Sequence, residues 1–352
     1  MPDFSTDEIV FERRGAAGHV TLNRPKALNA VTHGMVTALR AQLEAWAVDE
    51  VVTRIVVTGA GGKAFSAGGD IRHLYETGRA GKIDECLSFF RDEYALNETI
   101  RNYPKPYVSL IDGLVMGGGV GLSVHGAYRV AGDRCSFAMP EVSIGFFPDV
   151  GATWFLPRMP GETGAYCALT GERFDAADGV ALGLATHRIP SDRMAAVLEL
   201  LDEGQSVHAA LSTFARPAGE GPVTKRKADI DRLFAGASVE AILAALDAAA
   251  EPDNADSEWA AKVAAVIRAK SPLSLKLALA QVRRGAQWDF AACMKAEFNI
   301  AARIMRGKDF YEGVRAVIVD KDNSPRWTPA TLAEVSDAEV DRHFFAASSD
   351  QA

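Results

Sequence analysis

The stretch Gly113–Gly126, GLVMGGGVGLSVHG, constrains this chain more than any other. A short apolar run leads into three consecutive glycines, then one valine, then Gly121, and apolar residues follow at helical spacing. That order reads as strand, glycine loop, helix. Glycine adopts positive φ without steric cost, and the first turn of a helix carries N–H groups with no partner inside the helix. Such a loop can bring backbone close to a ligand and offer N–H donors to an anion or a developing oxyanion. The plain alternative is that the glycines only allow a strand and a helix to pack tightly, and this stretch alone leaves both readings open.

The rest of the first half repeats the theme. HVTLNRP reads as a strand ending in a turn, and residues from Val31 to Asp49 have helical periodicity. RIVVTGAGG (Arg54–Gly62) and PYVSLIDG (Pro106–Gly113) are short β-branched or apolar runs stopped by glycine. YRVAGDRCSFAMPE reads as two short extended pieces around a turn. Alternation of this kind predicts an α/β layer of mostly parallel strands joined by right-handed crossovers. A second glycine loop, GGKAFSAGGDI, follows the Arg54 strand. Two glycine loops leaving neighbouring parallel strands would converge at one edge of a sheet, where α/β proteins bind ligands, and two converging N–H donors form an oxyanion hole.

From about Ser191 the texture changes to alanine, leucine and charge, with a polar break at AEPDNADSE (Ala250–Glu258). SPLSLKLALAQVRRG carries Pro272 near a helix start, with Gly285 expected beyond its end. The division predicted is a core over residues 1–200 and a mainly helical C-terminal region over 201–352.

Composition narrows the function classes. The 352 residues are 48% hydrophobic and 24% charged, with a formal net charge of -8 and no long Lys/Arg block. This argues against a nucleic-acid or membrane-surface partner. No apolar run is long enough to span a bilayer. Cys86, Cys135, Cys167 and Cys293 are far apart and read as reduced thiols. MPDFSTDEIV is acidic with no apolar signal core, so a cytoplasmic location is expected.

Three familiar motifs are excluded. Leu122 stands where a dinucleotide fingerprint needs its third glycine. Lys63 is followed by Ala64, and Val57 takes the place of a P-loop's leading glycine. GLSVH puts His125 at the closing glycine of a nucleophile elbow, and Ser123 and His125 are two apart, on different sides of a helix. His125 is therefore read as structural or exposed. The histidines are scattered with no ligand spacing, so no metal is implied.

The acids are more informative. Glu141 and Asp149 lie inside the apolar segment AMPEVSIGFFPDVGATWFLPR. Burying two acids is costly unless they are hydrogen-bonded or functional, and an apolar setting raises a carboxyl pKa toward the range useful in acid–base catalysis. Their structural alternatives are helix-start acids, with Asp149 capping VGATWFL. Glu93 shares a helical face with Cys86, Phe89, Phe90, Asn97 and Ile100. It is either a functional acid on an apolar face or an edge glutamate reaching for water.

These residues resemble the crotonase (enoyl-CoA hydratase/isomerase) superfamily through RPKALNAV, AFSAGGDI, MGGGVGLS and PEVSIGFFPDVGATWFLPR. The match is nearest to its 3-hydroxyisobutyryl-CoA hydrolase branch, also through DFYEGVRAVIVDKDNSPRW, and runs to about Glu334. The resemblance implies a spiral of ββα units with a C-terminal helical region, and a trimer-based homo-oligomer. It implies an acyl-CoA substrate, with coenzyme A as part of that substrate and no separate cofactor. Gly69 and Gly118 match the two positions whose N–H groups hold the thioester oxygen, and their neighbours Gly68, Asp70 and Gly117 are expected to help bind the substrate. Glu141 and Asp149 match the branch's acids, and Glu93 matches a helix acid near the acyl group. Lys26, Ala27 and Leu28 match the loop that lines the CoA nucleotide. Gly121 stands where enoyl-CoA hydratases usually carry one of two water-handling glutamates. The expectation is therefore hydrolysis of a small 3-hydroxyacyl thioester, 3-hydroxyisobutyryl-CoA of valine breakdown. The rivals are an enoyl-CoA hydratase or isomerase, and an acyl-CoA-binding protein without catalysis.

Overall fold

A computed structural model describes residues 4–252, 254 and 256–346. The first three residues of MPDFSTDEIV, and Asp253 and Ala255 of the polar break, lie outside them. The chain gathers into two compact units that alternate along the sequence. One comprises the residues up to Asp70, Arg91–Ala138 and Arg173–Lys225; the other comprises Ile71–Phe90, Met139–Glu172 and the residues from Arg226 onward.

The first unit holds both sheets. Six strands, β1 (Ile9–Arg14), β2 (Ala17–Leu22), β3 (Arg54–Gly59), β5 (Tyr107–Ile111), β7 (Tyr128–Ala131) and β9 (His187–Arg188), lie in that order across one sheet. Only the β1–β2 pair is antiparallel. A second, parallel sheet has the order β4 (Ala64–Ser66), β6 (Leu114–Met116), β8 (Ser136–Ala138). The chain visits the sheets in turn, β3 then β4, β5 then β6, β7 then β8, which is the predicted spiral of ββα units. The β-branched runs fit this role, because inner parallel strands are covered on both faces: all five residues of β5 are buried. Val56 pairs with Val108 and Leu110 with Val130, and Val197, Leu201, Val207 and Leu211 from the helices Met194–Asp202 and Val207–Phe214 complete that core. Each such side chain contributes roughly 1.5–3 kcal/mol when fully buried.

Helix α1 (His33–Ala47) lies within the span its periodicity predicts and is capped by Thr32, whose side chain accepts the Met35 N–H at 3.2 Å. The second unit is built of helices. Helix Pro272–Gly285 starts as expected, with Ser271 as cap and Pro272 at its first position. Gly285 is inside the helix rather than beyond it. A Cβ there would come within 1.9 Å of the Thr153 carbonyl oxygen, so the glycine serves close packing instead of ending the helix.

Candidate active site

In the first unit the chain leaves β4 at Ser66 and β6 at Met116 from the same edge of the small sheet. The β4–β6 register shifts between Ala64 and Ser66, an irregularity that re-aims the chain just before the first glycine loop. The two loops then meet. A Cβ on Gly68 would sit 3.6 Å from the Gly118 nitrogen, and a Cβ on Gly118 would sit 3.2 Å from the Gly69 nitrogen. Val31 frames the first loop, donating its N–H to Gly68 O at 2.8 Å and accepting the Asp70 N–H at 2.9 Å. In a parallel bridge of this kind the N–H of the middle residue, Gly69, points away from the partner strand. Gly117, at φ 44° and ψ −122°, turns the second loop so that Gly118 becomes the first residue of a helix (Gly118–Val124), with its N–H among those free of intrahelical bonds. The two loops thus bring the backbone nitrogens of Gly69 and Gly118 to one place.

Glu93 completes this cluster. It lies on the helix Ile83–Arg101, is 2% exposed, and places Oε1 2.6 Å from where a Gly118 Cβ would be. The glutamate does not reach for water. Its helical-face partners Cys86, Phe89, Phe90, Asn97 and Ile100 are all buried as well.

The RPKALN loop is tied to the same place. Arg24 donates to Asp70 Oδ2 at 3.0 Å and to Ala30 O at 2.7 Å. Asn29, fully buried, donates to Ala60 O and Ala64 O at 2.9 Å each, and Leu28 O accepts the Ala67 N–H at 2.9 Å. Leu28 and Asn29 adopt φ 51° and 58°, so the loop is bent back on itself while Lys26, Ala27 and Leu28 remain exposed. Asn29 is a framing residue that reading by residue type did not single out.

The second unit carries the other two acids. Glu141 opens a four-residue 3-10 turn, Glu141–Ile144, without capping it. Its carboxyl is 7% exposed, and Oε2 has no hydrogen-bond partner among the described residues. Burial pushes this carboxyl well above the usual carboxylate range, and the nearby Asp149 charge adds to the rise. Glu141 is thus both the first residue of a short turn, as the helix-start reading has it, and a buried acid. Asp149 is 5% exposed. It does not cap Ala152–Phe155, whose N-cap position is Gly151 without a side-chain cap. Glu297 takes that part, accepting the Gly151 and Thr153 N–H groups at 2.8 Å each. Burial, with a smaller contribution from Asp149, pushes the Glu297 carboxyl up to about 8 against the pull of those donors. The sequence signal was there: Glu297 shares the buried face of helix Phe290–Ile304 with Cys293, Ile300 and Ile304, the same pattern that marked Glu93.

Among the described residues no group of three or more His, Cys, Asp or Glu could hold a metal ion, and no helix is long and apolar enough to cross a membrane.

A spiral of paired sheets with convergent glycine loops defines a crotonase-type fold. A profile of the enoyl-CoA hydratase/isomerase family matches residues 17–344, and the chain belongs to that family. Within it, the chain is 44% identical to the mitochondrial 3-hydroxyisobutyryl-CoA hydrolase of Danio rerio, covering 98% of this chain and 91% of the relative. It is 41% identical to the Homo sapiens protein of the same name, covering 97% and 89%. Among solved structures it is similar to a carnitinyl-CoA dehydratase from Mycobacterium thermoresistibile (TM-score 0.91, 40% identity, covering 97% of this chain and 98% of that one). An enoyl-CoA hydratase from Rhodobacter sphaeroides 2.4.1 is similar at TM-score 0.89 and 36% identity, covering 96% and 97%. The resemblance read from the motifs, branch included, is borne out.

Proposed function

We propose that this enzyme hydrolyses the thioester of 3-hydroxyisobutyryl-CoA, a step of valine breakdown, to the free hydroxy acid and coenzyme A. The observation that carries the proposal is the near-complete likeness to relatives bearing that name, in a chain with glycine at position 121. Gly121 lies fully inside the glycine-loop helix and donates its N–H to Gly117 O, so this position offers no carboxylate to handle water.

The Gly69 and Gly118 N–H groups receive the thioester oxygen as it gains charge. Glu141, acting as general base, takes a proton from water as the water oxygen attacks the carbonyl carbon. The C–S bond then breaks, the electron pair goes to sulfur, and an acid returns a proton to it. A base with a raised pKa suits both halves of that cycle near neutral pH. Asp149 orients Glu141 or the substrate hydroxyl, and Glu93, beside Gly118, binds that hydroxyl. Lys26, Ala27 and Leu28 line the nucleotide of the coenzyme. An activated ester and water need no redox or metal partner, so coenzyme A enters only as part of the substrate. A trimer-based assembly belongs to the same proposal. So does work in a reducing compartment such as the cytoplasm, on the strength of four buried cysteines that form no disulfide; the vertebrate relatives are named as mitochondrial.

The names of the two structurally similar proteins favour a second reading, reversible hydration of an enoyl-CoA. Gly121 weighs against it. A binding protein without catalysis has no use for a buried, unpartnered Glu141 oxygen. Following thiol release from 3-hydroxyisobutyryl-CoA in parallel with loss of the enoyl absorbance of crotonyl-CoA separates these readings. Thiol release without enoyl loss is expected, and the reverse would overturn the proposal. The Glu141→Gln variant is expected to fold and bind CoA esters but release thiol roughly 10²–10⁴-fold more slowly. Near-normal turnover would remove Glu141 from the mechanism.

A further inference from the structure

Within the second unit, the segment Pro148–Thr153 that carries Asp149 is held in an unfavourable conformation by groups far away in sequence. Val150 adopts φ 51°, and Gly151 follows at φ 90°. A left-handed conformation is open to glycine but strained for a β-branched residue, and such strain persists only where surrounding contacts over-determine it. Those contacts can be named. The Glu297 carboxylate spans the bend, with Oε2 accepting the Gly151 N–H and Oε1 accepting the Thr153 N–H, both at 2.8 Å. Gln281, also fully buried, donates Nε2 to Pro148 O at 2.6 Å. Gly285 lets the same helix lie directly against the Thr153 carbonyl. These three hydrogen bonds all go to backbone, so their effect is on where the segment points.

We infer that Glu297, assisted by Gln281, is a positioning residue that clamps the backbone on both sides of Val150 and so fixes the direction of the Asp149 carboxylate. The inference rests on the proposed thioesterase reading for Asp149's part in the chemistry. Glu297 itself is fully buried, with both carboxyl oxygens engaged by the backbone. Replacing its carboxyl by an amide removes one of the two acceptors, because an amide nitrogen only donates, whereas each carboxyl oxygen keeps a lone pair whether or not the group is protonated. Val150 can then leave the strained region, and Asp149 turns with it.

The test is a pair of backgrounds. Glu297→Gln is expected to lower kcat for thiol release from 3-hydroxyisobutyryl-CoA by about 10- to 100-fold, with KM changed less than about threefold, since a misplaced catalytic group costs up to about 10²-fold. Val150→Gly removes the cost of positive φ. In that background the same E297Q change is expected to lower kcat by less than about threefold, and to lower Tm less than it does beside Val150. A group that served only folding would reduce the yield of active protein and leave kcat per folded molecule unchanged. Equal losses of kcat in both backgrounds, or no loss of kcat in either, would overturn the inference. If E297Q does not fold, Gln281→Met loses the bond to Pro148 O and carries the same comparison with a smaller effect. Should the wild-type protein release no thiol, the hydrolase reading fails on its own. The difference in Tm cost between the two backgrounds then decides the clamp, and equal costs reject it.

Discussion

At the scale of single residues, the glycines of this chain are defined by what they keep empty. A methyl group on Gly118 would meet Glu93 Oε1 at 2.6 Å and the Gly69 nitrogen at 3.2 Å, filling the space between the two glycine loops that the proposed mechanism gives to the thioester oxygen. Gly118→Ala is therefore expected to cut kcat for thiol release by about 10²–10³-fold, the cost of losing one oxyanion donor. Its fold should survive, because Gly118 has ordinary helical φ and is absent from the positive-φ glycines. Steady-state kinetics alongside a thermal melt checks this, and near-normal kcat would show that the oxygen binds elsewhere. Both glycine loops, and the suspicion attached to Glu93, were legible in the sequence because glycine runs and acids on apolar faces are local patterns. That Glu93 stands over Gly118 was not, since it depends on where helix Ile83–Arg101 packs.

At the scale of elements, backbone groups at the ends of helices and in bends are satisfied by acids far off in sequence. Asp178, fully buried on helix Ala176–Ala181, accepts the Val223 N–H at 3.1 Å, the Thr224 N–H at 2.8 Å and the Thr224 hydroxyl at 2.7 Å. It thereby fixes the start of helix Pro222–Lys225. Removing one carboxylate would strand two buried or half-buried N–H groups, so Asp178→Ala is expected to cost about 2–4 kcal/mol of stability. Denaturant unfolding measures this, and a change under about 0.5 kcal/mol would mean that water replaces the carboxylate. Glu297 does the same for the bend after Asp149. In sequence, Asp149 lies just ahead of a short helix and reads as its cap. The structure gives the bend to Glu297 because Val150 and Gly151 turn the chain before the helix begins. The strands themselves and the helix starts, by contrast, follow from runs of β-branched residues and from Thr32 and Ser271, which act on their immediate neighbours.

At the scale of the whole molecule, buried ionisable groups set how stability depends on pH. Glu141 is raised well above its ordinary value and Glu297 to about 8, so the folded chain holds protons that the unfolded chain would release above about 4.5. That contribution is complete below the unfolded pKa and is lost as pH rises through the folded one. His343, lowered by burial from 6.5 to about 4, acts oppositely: stability rises with pH between those values. Between about pH 6.5 and 9 the acids lose their protons, joined toward pH 9 by the buried Cys86, Cys135 and Cys167 thiols, whose raised pKa acts in the same direction, and Tm should fall. The Glu297 share is roughly 2 kcal/mol over that span. Comparing melts at the two pH values in wild type and E297Q checks this. The variant should lose less, and an equal loss would remove Glu297 as the source.

The sequence by itself determined the class of this protein. Glycine loops after strands, a missing acid at Gly121 and carboxylates among apolar residues are carried by neighbours in the chain, and each has a local physical cause. The tertiary structure decided which of those groups meet. Gly69 and Gly118 are brought together by the pairing of β4 with β6, and Asp149 is aimed by a carboxyl group at position 297, 146 residues beyond Gly151, whose N–H it holds. Hydrogen bonds and packing between such distant segments depend on the register of whole strands and helices, and no local pattern of residues encodes that register.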